Sequence, residues 1–180
     1  MAILPKNKTV EDFFLREFLN GLLSGHNGDL MFRLSKVKKA IIKIAIAATA
    51  SDGAILEKTD VSALSRALIH FDLFRDMTVE KIRRLADETL AEIKSAASQG
   101  RIVEEVAKSC QLLKKNDNES IIAMDAALFM CLFDGELCGH EIGYMETLTV
   151  NLQITKASFQ KEIEKITAFI EVNKDELKKN

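Results

Sequence analysis

The chain has 180 residues, of which 47% are hydrophobic and 29% are charged, with 25 basic and 27 acidic side chains. This length suits one domain with its own hydrophobic core. The net charge of -2 excludes a general electrostatic attraction to nucleic acid or anionic lipid. With 8 glycines and a single proline, the sequence interrupts helices rarely, so long helices are expected and a disordered chain is excluded.

Apolar residues recur every three or four positions along most of the chain, which predicts helices and no strands. The predicted helices lie at about 10–25, 30–51, 59–70, 78–99, 102–115, 121–133, 140–151 and 155–172. The Lys-rich end, residues 173–180, is expected to fray. The predicted fold class is therefore all-α, a compact bundle of about eight helices in one domain over residues 1–180.

Two helix starts carry an N-cap candidate. Thr78 begins the helix at 78–99, and Asn118 precedes the apolar helix at 121–133. The side-chain oxygens of Thr and Asn accept hydrogen bonds from the first backbone N–H groups of a helix. These two residues are therefore predicted to cap their helices.

A dense block of basic residues lies in the first part of the second helix. It consists of Arg33, Lys36, Lys38, Lys39 and Lys43. A charge run of this kind usually forms a solvated helix face, and we expect such a face here. A phospholipid or partner surface is the alternative interpretation.

The sequence gives no sign of secretion or membrane insertion. Residues 1–9 lack the apolar core of a signal peptide. The most apolar stretches, 40–50 and 121–133, are shorter than the ~20 residues needed to span a bilayer. The three cysteines are Cys110, Cys131 and Cys138. An odd number of cysteines in apolar helical sequence favours buried, reduced thiols, and we expect a cytoplasmic location.

Two segments, 45–55 and 127–137, match each other at an offset of 82 residues. In each, an apolar helix rich in small residues ends in Asp-Gly, and an aliphatic residue follows two positions after the glycine. An acidic residue then lies near the start of the next helix. This self-similarity predicts a duplicated helix–loop–helix, with halves at about 30–72 and 118–152.

Lys43 and Asp125 occupy equivalent positions in the two copies, and each interrupts an apolar helix. Their charges are opposite. If the two helices pack against each other, these side chains are expected to form a buried ion pair that fixes the register of the helices.

Asp52 and Asp134 lie at the carboxyl ends of two predicted helices, where the partial negative charge of the helix repels a carboxylate. A nearby positive group or hydrogen-bond donor must compensate for this repulsion. Backbone N–H groups of the loop can provide this compensation, and so can a cation held between the carboxylate and the next acid. Glu141, seven residues after Asp134, is also suited to a capping role. The residues alone leave both interpretations open.

The second copy matches the last eight positions of an EF-hand loop, from Asp134 to Glu141. The first and third ligand positions of that loop would fall on Met130 and Leu132. Neither side chain offers an oxygen, so an EF-hand is excluded on ligand number. A complete site would need the two half-loops to meet.

The small-residue helix, the D-G-x-[IL] turn and the following acid, present twice between about residues 40 and 152, resemble the TerB-like family of the tellurite-resistance group. The resemblance implies an all-helical protein that binds divalent cations and acts in a bacterial chemical-stress response. It assigns Asp52, Asp134 and Glu141 to the acidic positions of the family. Asp60 takes the position equivalent to Glu141 in the first copy, with Glu57 as its competitor because one residue is inserted there.

Three functional hypotheses follow from this reading. The first is a non-enzymatic TerB-like protein with a metal site at Asp52, Asp60, Asp134 and Glu141, whose oxygen ligands favour calcium or magnesium over zinc. The second is a helical adaptor in which these acids are structural and a groove binds a partner helix. The third is a metal-dependent hydrolase, for which no catalytic motif is present.

We expect a protein partner, of an identity that the sequence does not give. Nucleic acid is not expected as a partner, because the chain has one Tyr, no Trp and a near-neutral charge. Peripheral association with a membrane stays open, and the sequence does not indicate an oligomeric state.

Overall fold

The computed structural model describes residues 27–50, 58–133 and 139–178. The chain divides into two units, residues 1–36 and residues 37–180. All of the contacts described below lie within the second unit. The single domain predicted over the whole chain stays a prediction.

The described part of the chain contains seven α-helices, one short 3-10 helix and no strand. The helices are α1 (Asn27–Thr49), α2 (Lys58–Leu68), α3 (Val79–Ser98), α4 (Ile102–Leu113), α5 (Asp117–Leu132), α6 (Gly139–Asn151) and α7 (Lys156–Leu177), and the 3-10 helix (Asp72–Phe74) lies between α2 and α3. The all-α fold class is therefore confirmed. The predicted first helix, at 10–25, lies outside the described residues. No helix among those described is long and apolar enough to cross a membrane.

Local signals define both ends of α3. The hydroxyl oxygen of Thr78 accepts a hydrogen bond from the N–H group of Lys81 at 3.4 Å, as the sequence predicts. At the other end, Gly100 has a φ of 65°, in the left-handed region that is costly for residues with a Cβ atom. Its N–H group donates to the carbonyl of Ala97 at 3.0 Å. Glycine therefore ends the helix and turns the chain into α4.

The N-cap of α5 is Asn116, and the prediction of Asn118 was wrong. The side-chain oxygen of Asn116 accepts hydrogen bonds from the N–H groups of Asn118 at 3.0 Å and Glu119 at 3.3 Å. The helix begins at Asp117, four residues before the apolar run at 121–133, because its first turn is polar.

Helix α5 lies at the centre of the second unit. It packs against α2, α4, α6 and α7. Its buried residues occupy every side of the helix, from Glu119 to Cys131 with the exception of Ile121. A helix that buries its whole circumference also buries any charge that it carries. The buried charged residues of α5 are Glu119 in its first turn and Asp125 near its middle, and the side chain of Asp125 is only 3% exposed.

The basic block does not form the solvated face that the sequence favoured. The ammonium of Lys38 donates to Asp76 at 2.6 Å, and the Lys38 side chain is only 10% exposed. Lys39 pairs with Glu92 on α3. Three of the five basic residues, counting Lys43, therefore hold α1 against neighbouring parts of the second unit.

The carboxyl-terminal residues also differ from the expected frayed tail. Helix α7 continues past Asn173 to Leu177, whose side chain is fully buried. The carbonyl of Leu177 accepts hydrogen bonds from Nε and Nη2 of Arg66, at 3.0 and 2.6 Å. This contact with α2 anchors the end of α7, and a Lys-rich composition alone does not show it.

The two described cysteines, Cys110 and Cys131, are buried and form no disulfide bond, as predicted. Burial raises the pKa of the Cys110 thiol to about 11, so this group stays protonated at neutral pH. The third cysteine, Cys138, lies outside the described residues.

Candidate functional site

The structure places only part of the predicted carboxylate site. Asp52 and Asp134 lie outside the described residues, as does the competitor Glu57. Asp60 belongs to the first turn of α2, and its side chain is not described. Glu141 lies in the first turn of α6 and is partly buried. The predicted convergence of the four acids therefore stays a prediction.

Within residues 27–50, 58–133 and 139–178, no group of three or more His, Cys, Asp or Glu side chains is arranged to hold a metal ion. Three of the four predicted ligands have no described side chain. The finding therefore applies to side-chain clusters elsewhere in the protein, and not to the predicted carboxylate site.

One hydrogen bond connects α6 with α1. The hydroxyl of Tyr144 donates to the carbonyl of Ile44 at 2.8 Å. Burial raises the pKa of this hydroxyl well above its ordinary value, so the group remains a donor over the accessible pH range. Tyr144 lies three residues after Glu141, on the same face of α6. The start of α6 is thereby fixed beside the helix that leads to Asp52.

The predicted ion pair between Lys43 and Asp125 is wrong. The ammonium of Lys43 donates to Glu105 at 2.9 Å and lies 3.5 Å from Glu92. It joins α1 to α3 and α4. The hydrogen bond from Lys43, reinforced by one from Lys108, lowers the pKa of Glu105. Each member of the expected pair has found an opposite charge on another helix.

Asp125 pairs with α7. The ammonium of Lys165 donates to Oδ2 of Asp125 and to Oε2 of Glu162 at 2.7 Å. Glu162 is largely buried, whereas the Lys165 side chain is about half exposed. One ammonium therefore serves two carboxylates, and we call these three residues the α5–α7 triad. The other oxygen of Asp125, Oδ1, is buried and receives no hydrogen bond from any group that the structure describes.

The carboxylates of the triad have different affinities for protons. Burial raises the pKa of Asp125 to about 7, a shift that the hydrogen bond from Lys165 opposes and that Glu162 reinforces. Burial is also the largest influence on the pKa of Glu162 and acts to raise it. The hydrogen bonds with Lys165 and Asp125 and the attraction of Lys165 and Lys161 together outweigh burial, so the net shift is downward. At neutral pH, Glu162 is therefore ionised, while Asp125 is present in both its protonated and its ionised form.

A cavity of about 210 Å³ adjoins the triad. Three of its lining residues are exposed, namely His70, Asp72 and Asn118. Asp125 and Ile122 are buried, and Phe71, Ile121 and Lys165 complete the lining. The cavity therefore extends from the surface to a buried carboxylate. It combines an apolar wall with a few polar groups, which is the composition of small-molecule sites.

Sequence reasoning singled out Asp125 but missed its partners. A lone acid within an apolar helix signals that a cation lies nearby. The chain has 25 basic residues, however, and Lys165 lies 40 positions away. The only local signal was Glu162, an acid in phase with the buried Ile166 on α7.

A comparison with protein-family models finds no match for this chain, and the same holds for curated proteins and for solved structures. The TerB-like resemblance accordingly stays a prediction from the sequence motifs.

Proposed function

We propose that this chain is a non-enzymatic, cytoplasmic protein of the TerB-like kind that binds a divalent cation through Asp52, Asp60, Asp134 and Glu141. On this proposal it acts with a protein partner in a bacterial chemical-stress response of the tellurite-resistance type. Calcium and magnesium are the preferred ions because all four side chains offer hard carboxylate oxygens.

The observation that carries the proposal is the equivalent position of the two helix-start acids. Helix α2 begins at Lys58 and helix α6 begins at Gly139. Asp60 and Glu141 are therefore each the third residue of their helix, although the segment from the Asp-Gly aspartate to the helix start is one residue longer in the first copy. The inserted residue precedes the helix and leaves the register of Asp60 unchanged. This register favours Asp60 over Glu57 as the fourth ligand.

The ends of the preceding helices support the same duplication. Helix α1 ends at Thr49, three residues before Asp52, and helix α5 ends at Leu132, two residues before Asp134. In both copies a buried helix leads into an Asp-Gly connection and then into a helix whose first turn carries an acid. The first turn of a helix is electrostatically favourable for a carboxylate, which suits acidic residues at the positions of Asp60 and Glu141.

The contact between Tyr144 and Ile44 adds support for a shared site. It holds the turn that follows Glu141 against α1, the helix that precedes Asp52. Two half-loops can bind one ion only if the copies meet, and this hydrogen bond joins an element of each copy.

Isothermal titration calorimetry with calcium, magnesium and zinc tests the proposal. We expect binding heat for the wild type with calcium or magnesium and none for Asp134→Asn. The control is Asp87→Asn, which removes the same charge from the exposed face of α3 and should bind as the wild type does. Ion binding should also raise the melting temperature, because it stabilises only the folded state. Absence of heat with every ion would favour the adaptor, in which these acids are structural.

A further inference from the structure

The α5–α7 triad places two carboxyl groups against one ammonium at the contact between α5 and α7. The side chains of Asp125 and Glu162 are only 3% and 10% exposed, and Lys165 donates to both. Beyond the effect of burial, a hydrogen bond between the two carboxyl groups raises the pKa of Asp125 and lowers that of Glu162. Such a bond needs a proton on one of the groups, and these opposite shifts correspond to a proton on Asp125.

A proton on Asp125 also balances the charges of the triad. With both acids ionised, the triad would hold one more negative than positive charge in a largely buried place. The proton relieves Oδ1 of Asp125 as well, which is buried and accepts no hydrogen bond from the described protein. A neutral carboxyl oxygen is less costly to bury without a donor than a carboxylate oxygen is. Charge balance and burial therefore both favour the protonated triad.

Within the described residues, the charged groups around the triad have other partners or lie exposed. Lys161 attracts Glu162 less than Lys165 does, and it is exposed on α7. Beside the cavity, His70 lies 3.8 Å from Glu176, and Asp72 pairs with Arg75 at 2.7 Å. Charged side chains on the other helices that pack against α5 include Arg66, which donates to the carbonyl of Leu177, Lys108, which pairs with Glu104 and Glu105, and the exposed Glu146.

Helix α7 has little apolar burial of its own. Of its 22 residues, the buried ones are Glu162, Ile166 and Leu177, so only two of them are apolar. Nearly all of α5, by contrast, is buried. Elements with few buried apolar contacts open locally at a lower free-energy cost than the core does. A change of charge in the triad therefore acts on a helix that opens more easily than α5.

We propose that the contact between α5 and α7 is a pH-sensitive switch. When Asp125 carries a proton and donates it in the hydrogen bond to Glu162, the triad is neutral and α7 stays packed on α5. When that proton is lost to solvent, one buried negative charge remains unbalanced and α7 opens locally. The switch is independent of the proposed metal site.

The pKa of Asp125, which burial raises to about 7, places this change near neutral pH. A group whose pKa is raised in the folded state stabilises that state at low pH, and this contribution is lost as the pH rises through the raised value. Opening of α7 should therefore become easier with rising pH.

Hydrogen–deuterium exchange of the full chain at about pH 6, 7 and 8, followed by mass spectrometry, measures this local opening. Exchange times are scaled for the intrinsic pH dependence of amide exchange. We expect the protection of α7 amides to fall severalfold over this range and to stay below that of α5 amides. Unchanged protection of α7 would overturn the proposal, and so would protection equal to that of α5, because α7 would then open only in global unfolding.

Substitutions that change the charge balance should move the pH dependence in opposite directions. Asp125→Asn should abolish it. Glu162→Gln leaves one carboxylate for one ammonium and should move the loss of protection to lower pH, whereas Lys165→Met removes the ammonium and should move it to higher pH. Asp87→Asn, on the exposed face of α3, is the control and should behave as the wild type does. A shift in the same direction for Glu162→Gln and Lys165→Met would contradict a proton held by the triad.

His70 is another titratable group that contacts α7. Its ring lies edge-on to that of Phe169 with centroids 5.4 Å apart, and histidine ordinarily changes charge in the same pH range. His70→Gln should keep the pH dependence of α7 protection. If the dependence disappears in that variant, the effect belongs to His70 and the assignment to the triad is wrong.

Discussion

Helices α3 and α5 differ in what determines them. The buried residues of α3 lie on one face of the helix, from Ile82 to Ala96, and its ends are set by Thr78 and Gly100. Helix α5 is buried on all sides and contacts four other helices. Local sequence therefore accounts for α3, whereas the stability of α5 depends on side chains that are distant in sequence. Substitutions in the two helices should therefore change the free energy of unfolding by different amounts and with a different pH dependence.

The largest difference is expected for matched leucines. Leu128 on α5 is fully buried, whereas Leu85 on α3 is only partly buried. Leu128→Ala should lower the free energy of unfolding by roughly 2–5 kcal/mol, because it removes buried methyl groups and leaves a cavity. Leu85→Ala should cost about 1 kcal/mol or less. Urea denaturation measures both, and equal losses would show that α5 is not the better-packed helix.

The next effect concerns Asp125 and pH. Its pKa is raised to about 7 in the folded protein from 3.8, so the folded state binds more protons than the unfolded state between these values. The contribution of Asp125 to stability is therefore fully present below about pH 4 and is lost as the pH rises through about 7. Relative to Asp125→Asn, the wild type should therefore lose stability progressively as the pH rises within this window.

Thermal denaturation of both proteins at about pH 5, 6, 7 and 8 measures this loss. The melting temperature of Asp87→Asn on α3 should change with pH as that of the wild type does, since Asp87 is exposed. A wild type that gains stability over Asp125→Asn with rising pH would contradict the raised pKa.

The smallest of these effects is expected at the end of α3. Gly100 has a left-handed backbone, and a Cβ atom built on it meets nothing within 4 Å. Gly100→Ala should therefore cost about 1 kcal/mol through backbone conformation alone. Gly143 also has free space at this distance, but its φ is not positive, and it lies within α6. Gly143→Ala should be neutral or stabilising. Chemical denaturation of the pair separates the two causes, and a loss at Gly143 would argue against this account.

The same contrast explains which features were predictable. The all-α class and both ends of α3 follow from periodicity, Thr78 and Gly100, which act within a few residues. The partners of Lys43 and Asp125 do not follow from local signals, because the chain has many opposite charges and tertiary packing selects among them. The end of α7 shows the same limit, because the carbonyl of Leu177 accepts hydrogen bonds from Arg66, 111 residues away. A Lys-rich end therefore predicts fraying only where nothing distant holds it.

The candidate sites divide in the same way. The acids of the proposed metal site were found because a repeated motif placed them, and the third-residue register of Asp60 and Glu141 agrees with the duplication. The cavity beside the α5–α7 triad had no sequence motif. Its lining comes from α2 to the 3-10 helix, from α5 and from α7, so only the fold brings these residues together.

Terbium luminescence tests the shared cation site most directly. Terbium occupies oxygen-rich calcium sites, and it emits when a nearby aromatic side chain transfers excitation energy to it. The chain has one Tyr and no Trp, and Tyr144 lies one turn after Glu141 on α6. We predict tyrosine-sensitised emission that calcium displaces, that Glu141→Gln abolishes and that Glu146→Gln, at an exposed position of the same helix, retains. Absence of sensitised emission at saturating terbium, or equal emission from both variants, would contradict a cation held at the start of α6.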